Sequence, residues 1–216
     1  RKILPERFAV EVAGVGGLVH HAADSEEVKR LLQGIARKYE AKLAVRWNDP
    51  LLTELGVDDA LAAAGVEVVA ADLRALSGAA EGAAEEPEKT QEARAYIKDR
   101  LSVGDLGISG AQYAIAETGT LVLTAAEGRG RAVTALPSVH VAVLEADKLV
   151  SSMEELLALM GASRKGKAPQ LESCLSFITG PSRTGDIELA LTIGVHGPKE
   201  LHVILLDAGR VSESTR

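Results

Sequence analysis

Apolar and polar positions along this chain switch between two periods. Phe8 to Ala13 alternates residue by residue, which predicts a strand, and Gly14, Gly16 and Gly17 break it. Asp24-Ser25-Glu26-Glu27 has the form of a capping box, and Val28, Leu31, Leu32 and Ile35 then recur at helical spacing. Lys42 to Trp47 reads as a short strand. Asp49-Pro50 opens a helix with proline in its first turn, and Val66 to Ala70 is a further strand. Residues 77–88 read as a solvated loop or the start of a helix, and Glu88 to Leu101 as an amphipathic helix. Gly104 to Gly110 reads as a series of turns. Two apolar runs, Tyr113 to Glu117 and Thr120 to Ala125, are split by Thr118-Gly119. Beyond them come a helical turn or two at Arg131 to Leu136, a strand at Val139 to Leu144 and a helix at Ser152 to Met160. A basic loop at Gly161 to Gln170 and strands at Leu175 to Ile178 and Leu201 to Leu206 complete the pattern. Strands alternating with helices predict an α/β fold, with a mostly parallel sheet and helices on its faces.

Composition narrows this picture. The chain has 216 residues, 46% of them hydrophobic, with only 3% aromatic, so its core is built from Ala, Val, Leu and Ile. The net charge of −7 and the scarcity of aromatics argue against nucleic acid, which needs a basic face and stacking rings. Cys174 is the only cysteine, which excludes an intrachain disulfide and a four-thiolate cluster, and fits a reducing, cytoplasmic setting. No apolar run is long enough for a transmembrane segment. The first residue is Arg1 rather than Met, which leaves room for a segment upstream.

The densest candidate chemistry lies in Thr179 to Pro198. Gly180-Pro181-Ser182-Arg183-Thr184-Gly185-Asp186 reads as a strand end turning into a helix, whose first amides would attract an anion. Ser182 and Thr184 could add hydroxyl donors, and Arg183 could grip a carboxylate or phosphate bidentately. The bland reading is a capped helix with a solvated arginine, in which Asp186 favours the helix N-terminus and Glu188 is a solvated acid. His196, next to Gly197 in a second tight turn, could exchange protons with a bound ligand or simply bond its local backbone. Two such turns could meet at a sheet edge, where α/β proteins usually bind ligands. Glu117, followed by Thr118-Gly119-Thr120, is either a carboxylate partly desolvated at a strand end, suited to act as base or nucleophile, or the exposed rim of a hairpin turn. Arg129 and Arg131 alternate with Gly128 and Gly130 and read as a solvated loop. His20-His21 lacks metal-ligand spacing, so no metal site is expected.

Four of these stretches together resemble the LUD-domain (lactate-utilisation) family, of the LutC/YkgG type. They are Ile108 to Leu123, Leu136 to Val143, Gly180 to Asp186 and Gly194 to Pro198. The resemblance implies one domain over residues 1–216, with a three-layer α/β/α sandwich similar to the NagB/RpiA/CoA-transferase-like fold. It implies a subunit of a system that oxidises L-lactate to pyruvate, whose LutA/LutB-like partners are iron–sulfur proteins. With one cysteine, this chain is expected to carry no cofactor itself. A small carboxylate, lactate or pyruvate, or a partner's surface would be bound by Thr118, Gly119, Thr120, Gly180, Ser182, Arg183, Thr184, Asp186 and Gly197. Glu117 or His196 would move a proton. Two other readings stay open: an acyl or CoA transferase using Glu117 as nucleophile, by analogy of fold, and a non-catalytic assembly subunit.

Overall fold

The computed structural model describes residues 3–78, 87–163, 174–185 and 191–207. In chain order the first half runs α1 (Ile3–Gly14), β1 (Leu18–Ala22), α2 (Ser25–Lys38), β2 (Leu43–Arg46), α3 (Pro50–Glu54), α4 (Val57–Ala62), β3 (Glu67–Ala70) and α5 (Leu73–Ser77). Then come α6 (Pro87–Val103), β4 (Leu106–Gly110), β5 (Tyr113–Ile115), β6 (Thr120–Ala125), α7 (Ala132–Ala135), β7 (Val139–Glu145) and β8 (Leu149–Val150). The remaining elements are α8 (Met153–Ser163), β9 (Cys174–Ile178), β10 (Arg183–Gly185), β11 (Leu191–Ile193) and β12 (Glu200–Leu206).

Six strands form the central sheet in the order β1-β12-β7-β4-β2-β3. All five pairings are parallel. Parallel strands are covered on both faces, so they read as continuous apolar runs. Leu201 to Leu206 is buried throughout, and so is Val139 to Leu144. The helices lie on both faces. Gly107 pairs with His140, and His140 with Leu201, so these three share one face. On that face the α7 backbone lies so close that a Cβ on Gly107 would stand 1.9 Å from the Val133 carbonyl oxygen. His202 points to the other face, where Tyr39 at the end of α2 meets it through a hydrogen bond of 2.9 Å. A second sheet, β8-β5-β6-β9, packs beside the first, with β6 antiparallel to both neighbours. Among the described residues no helix is long and apolar enough to cross a membrane.

Three elements differ from the pattern-based expectation. Residues 8–13 are helical, not extended. Phe8 and Val12 are buried one helical turn apart while Val10 is 68% exposed, so a two-residue alternation coincided with an i, i+4 pair. Leu18–Ala22 is a strand despite its two histidines, because His20 finds a partner inside: its Nε2 lies 2.8 Å from His202 Nδ1. Leu106–Gly110 is a central strand rather than turns, because its glycine admits the close approach of α7. The basic stretch at 161–170 begins inside α8 and continues outside the described residues. The capping expectations hold at both helices named for them. Asp24 accepts from the Glu27 amide and Glu27 from the Ala23 amide, while Asp49 accepts from the Leu51 amide ahead of Pro50.

Candidate functional site

The two glycine turns do meet. The Ser182 amide donates to the Pro198 carbonyl at 2.8 Å, and the Gly194 amide donates to the Ser182 carbonyl at 3.0 Å. Gly180 takes φ +81° and presses on Val15, where a Cβ would stand 2.7 Å from the Val15 carbonyl oxygen. Gly197 lies against Ser182, whose Cβ would stand 3.0 Å from a Cβ placed there. Together with α7 and the end of β9 these turns line an open cavity of about 640 Å3. Its lining includes Ser182, His196 and Gly197 from the two turns, Thr179 and Gly180 from the end of β9, and Arg131 and Thr134 at α7. The size suits a small ligand. Three hydroxyls reach it in series: Thr118 Oγ1 lies 2.8 Å from Thr120 Oγ1, which lies 2.7 Å from Thr179 Oγ1. The 117–120 turn thus touches the cavity wall through Thr179 rather than directly. Gly119, at φ +63°, packs on α1 instead.

Other residues singled out in the sequence point elsewhere. Residues 183–185 form a strand paired with β11, so the expected helix start is not there, and the helix-dipole argument for an anion lapses. A β-hairpin satisfies these amides through its own ladder. Arg183 turns away from the cavity, its Nη2 donating to the Val15 carbonyl at 2.6 Å, and so clasps the turn between α1 and β1. Thr184 pairs with Thr192 in the hairpin. Asp186 and Glu188 lie outside the described residues. Glu117 is half-buried, and its Oε1 accepts from the Met153 amide at 3.1 Å, at the first turn of α8. Arg131, read in the sequence as part of a solvated loop, is exposed, and among the described residues it is the cation in the cavity lining.

The cavity's place in the fold also differs from expectation. Residues 194–198 lead into the amino end of β12, and the Lys199 amide donates to the Ser138 carbonyl just before β7. The cavity therefore lies by the amino ends of these strands. At the carboxyl ends the chain reverses direction between β2 and β4, since β3 is added outward on one side and β7 and β12 on the other. Such switch points leave a crevice. Here it is a recess of about 300 Å3 lined by Asp49, Gln112, Tyr113, Glu145 and Lys148. Asp49 is held by Leu51 N and lies 3.8 Å from Arg129, and Gln112 accepts from the Thr124 amide at 2.8 Å. Burial raises the Glu145 carboxyl above its ordinary range, and Asp147 adds to the effect. The residues that follow β2 and β4 were the available signal for this recess.

Three comparisons place the chain among known proteins. Residues 5–206 match the model of the LUD domain. A protein of Halalkalibacterium halodurans named lactate utilization protein C is 33% identical over 83% of this chain and 70% of its own length. Proteins named lactate utilization protein B from Bacillus licheniformis and Bacillus pumilus are 29% and 30% identical over 95% and 94% of the chain. The chain spans about half of their length, 48% in each case. In fold, it is similar to the crystal structure of a DUF162 family protein from Deinococcus radiodurans, with TM-score 0.53, 20% identity, and coverage of 95% of this chain and 97% of that one. The match of the family model along nearly the whole described chain, and the relative at 33% identity, show that this protein belongs to the LUD-domain family.

Proposed function

We propose that this chain serves the utilisation of L-lactate as a LutC-type protein, and that it holds a small carboxylate, lactate or pyruvate, in the cavity beneath the two glycine turns. The observation that carries the reading is the junction of those turns through Ser182, which brings Ser182, His196 and Gly197 into the lining of one open cavity with Arg131. A carboxylate needs a cation and oriented donors. Arg131 supplies the cation, and the Ser182 hydroxyl and the His196 ring supply donors. Thr179, at the end of its hydroxyl series, supplies another. Thr134 already donates to the Arg131 carbonyl at 3.0 Å, so it acts as an acceptor, suited to the 2-hydroxyl of lactate. His196 is the group placed to hold a proton at that hydroxyl. The electrons released by oxidation would pass to iron–sulfur partner proteins of the LutA/LutB type. The names of the relatives support the pathway. Glu117, engaged at the start of α8, supports helix geometry rather than acyl transfer.

Calorimetric titration of L-lactate and pyruvate tests the reading. Binding to the wild type is expected to weaken at least tenfold in Arg131→Ala and to persist in Arg183→Ala. Equal affinity of wild type and Arg131→Ala, or no binding by the wild type, overturns the carboxylate site.

A further inference from the structure

A second cavity has a different chemistry. It is a cleft of about 510 Å3 between α5, α6, the 126–130 loop and α7. Its floor is apolar, made by Leu73, Ile97, Leu101 and Val133, with Leu136 at the margin 58% exposed. Its rim is cationic. Arg94, Ile97, Lys98 and Leu101 are spaced i, i+3, i+4 and i+7, so one face of α6 turns two cations and two apolar side chains toward the same space. Across the cleft stands Arg74, ion-paired with Glu127.

This arrangement is not what helix stability alone would select. Like charges at i, i+4 destabilise a helix slightly, and among the described residues the cleft offers no free acid to Arg94 or Lys98. Glu127, the one acid among the described lining residues, is engaged by Arg74. Three cations against one acid gather here in a chain whose net charge is −7. An apolar floor beneath an uncompensated pair of cations complements a molecule with an apolar body and an acidic head. The nearby Glu127 carboxylate favours a monoanion over a dianion.

We propose that this cleft binds an amphipathic monocarboxylate of medium chain length, its apolar body on Leu73, Ile97, Leu101 and Val133 and its carboxylate between Arg94 and Lys98. The site adjoins the cavity at Ser182 and Arg131, with Ala132 and Leu136 lining both, but no residue of the proposed lactate contacts is needed for it. Lactate is too small and too polar to fill it. Medium-chain carboxylates would therefore occupy the protein without displacing lactate.

The test uses octanoate, octanol, inorganic phosphate and L-lactate as probes of the full chain. Calorimetry is expected to show saturable octanoate binding at one site. In Arg94→Ala/Lys98→Ala that affinity falls at least tenfold, and both side chains are exposed, so the fold is retained. Octanol and phosphate, each lacking one half of the recognition, bind at least tenfold more weakly than octanoate. In the wild type, octanoate shifts the amide NMR signals of Ile97, Leu101 and Val133. Arg131→Ala leaves octanoate binding unchanged, which separates this site from the lactate reading. Unchanged octanoate affinity in the double variant, competition by phosphate at equal strength, or shifts confined to the Ser182 cavity would each overturn the proposal.

Discussion

Acid should weaken this protein through two buried imidazoles before most carboxylates titrate. His140 lies on β7 with 1% of its surface exposed. Its Nε2 meets Ser109 Oγ at 2.9 Å, and among the described residues its Nδ1 has no hydrogen-bond partner. Burial pushes its pKa down to about 4. His202, also 1% exposed, is lowered to about 4 by burial and then by the neighbouring His20 and Lys38. In the unfolded chain each imidazole titrates near 6.5. As pH falls below that value the unfolded chain takes up protons that the folded protein refuses. The contribution of these groups is therefore complete above pH 6.5 and is lost between pH 6.5 and about 4. The gap corresponds to about 3 kcal/mol per imidazole, of which roughly 2 kcal/mol is lost by pH 5. Urea denaturation at pH 8, 7, 6 and 5 measures it. His140→Leu/Ser109→Ala removes the titrating ring together with the hydroxyl it would leave unpaired. Its stability should fall with pH less steeply than that of the wild type, the remainder coming from His202 and from His20, whose pKa burial also lowers. Superimposable pH profiles for wild type and double variant, or an NMR titration of the His140 ring near 6.5, would refute the reasoning.

Two further predictions concern positions where sequence and structure meet. Gly107→Ala places a Cβ 1.9 Å from the Val133 carbonyl oxygen and 3.0 Å from Pro137 Cγ, so α7 must move off the sheet. Urea denaturation should show a loss of more than about 3 kcal/mol, and a loss below about 1 kcal/mol would contradict the close approach. Glu117→Ala removes the acceptor at Met153 N, and should cost about 1 kcal/mol while speeding hydrogen exchange at the first turn of α8. An unchanged exchange rate there would show that the carboxylate does not hold the helix.

Much of the scaffold was legible because its strands are buried on both faces. Val139–Glu145 and Glu200–Leu206 are long apolar runs, and no other element type in a small α/β protein needs them at that length. Helix α2 was equally plain, since Asp24 and Glu27 mark its start and its apolar stripe follows. The failures have local causes. In α1 a two-residue alternation was compatible with either period, and only burial of Phe8 and Val12 against the core decides between them. In Leu18–Ala22 two histidines masked a strand in which one ring, that of His20, finds its partner in His202, far away in sequence, while His21 is exposed. At residues 183–185 the glycines and hydroxyls that suggested a helix start serve a hairpin with Leu191–Ile193.

The sequence by itself determined the fold class and the inventory of chemistry: alternating elements, one cysteine, and glycine turns carrying Ser182, Arg183 and His196. Those depend on periodicity and residue type, which are local. Only the tertiary structure decided which of these groups face one another. Ser182, just ahead of β10, lines the cavity, while Arg183, the first residue of the strand, leaves it for the Val15 carbonyl. Packing brings Arg131 and His196 into the lining of one cavity, and brings the α6 cations beside an apolar floor built from α5, α6 and α7. Register and packing, set by contacts between residues distant in the chain, place the cations, and no spacing in the sequence encodes that placement.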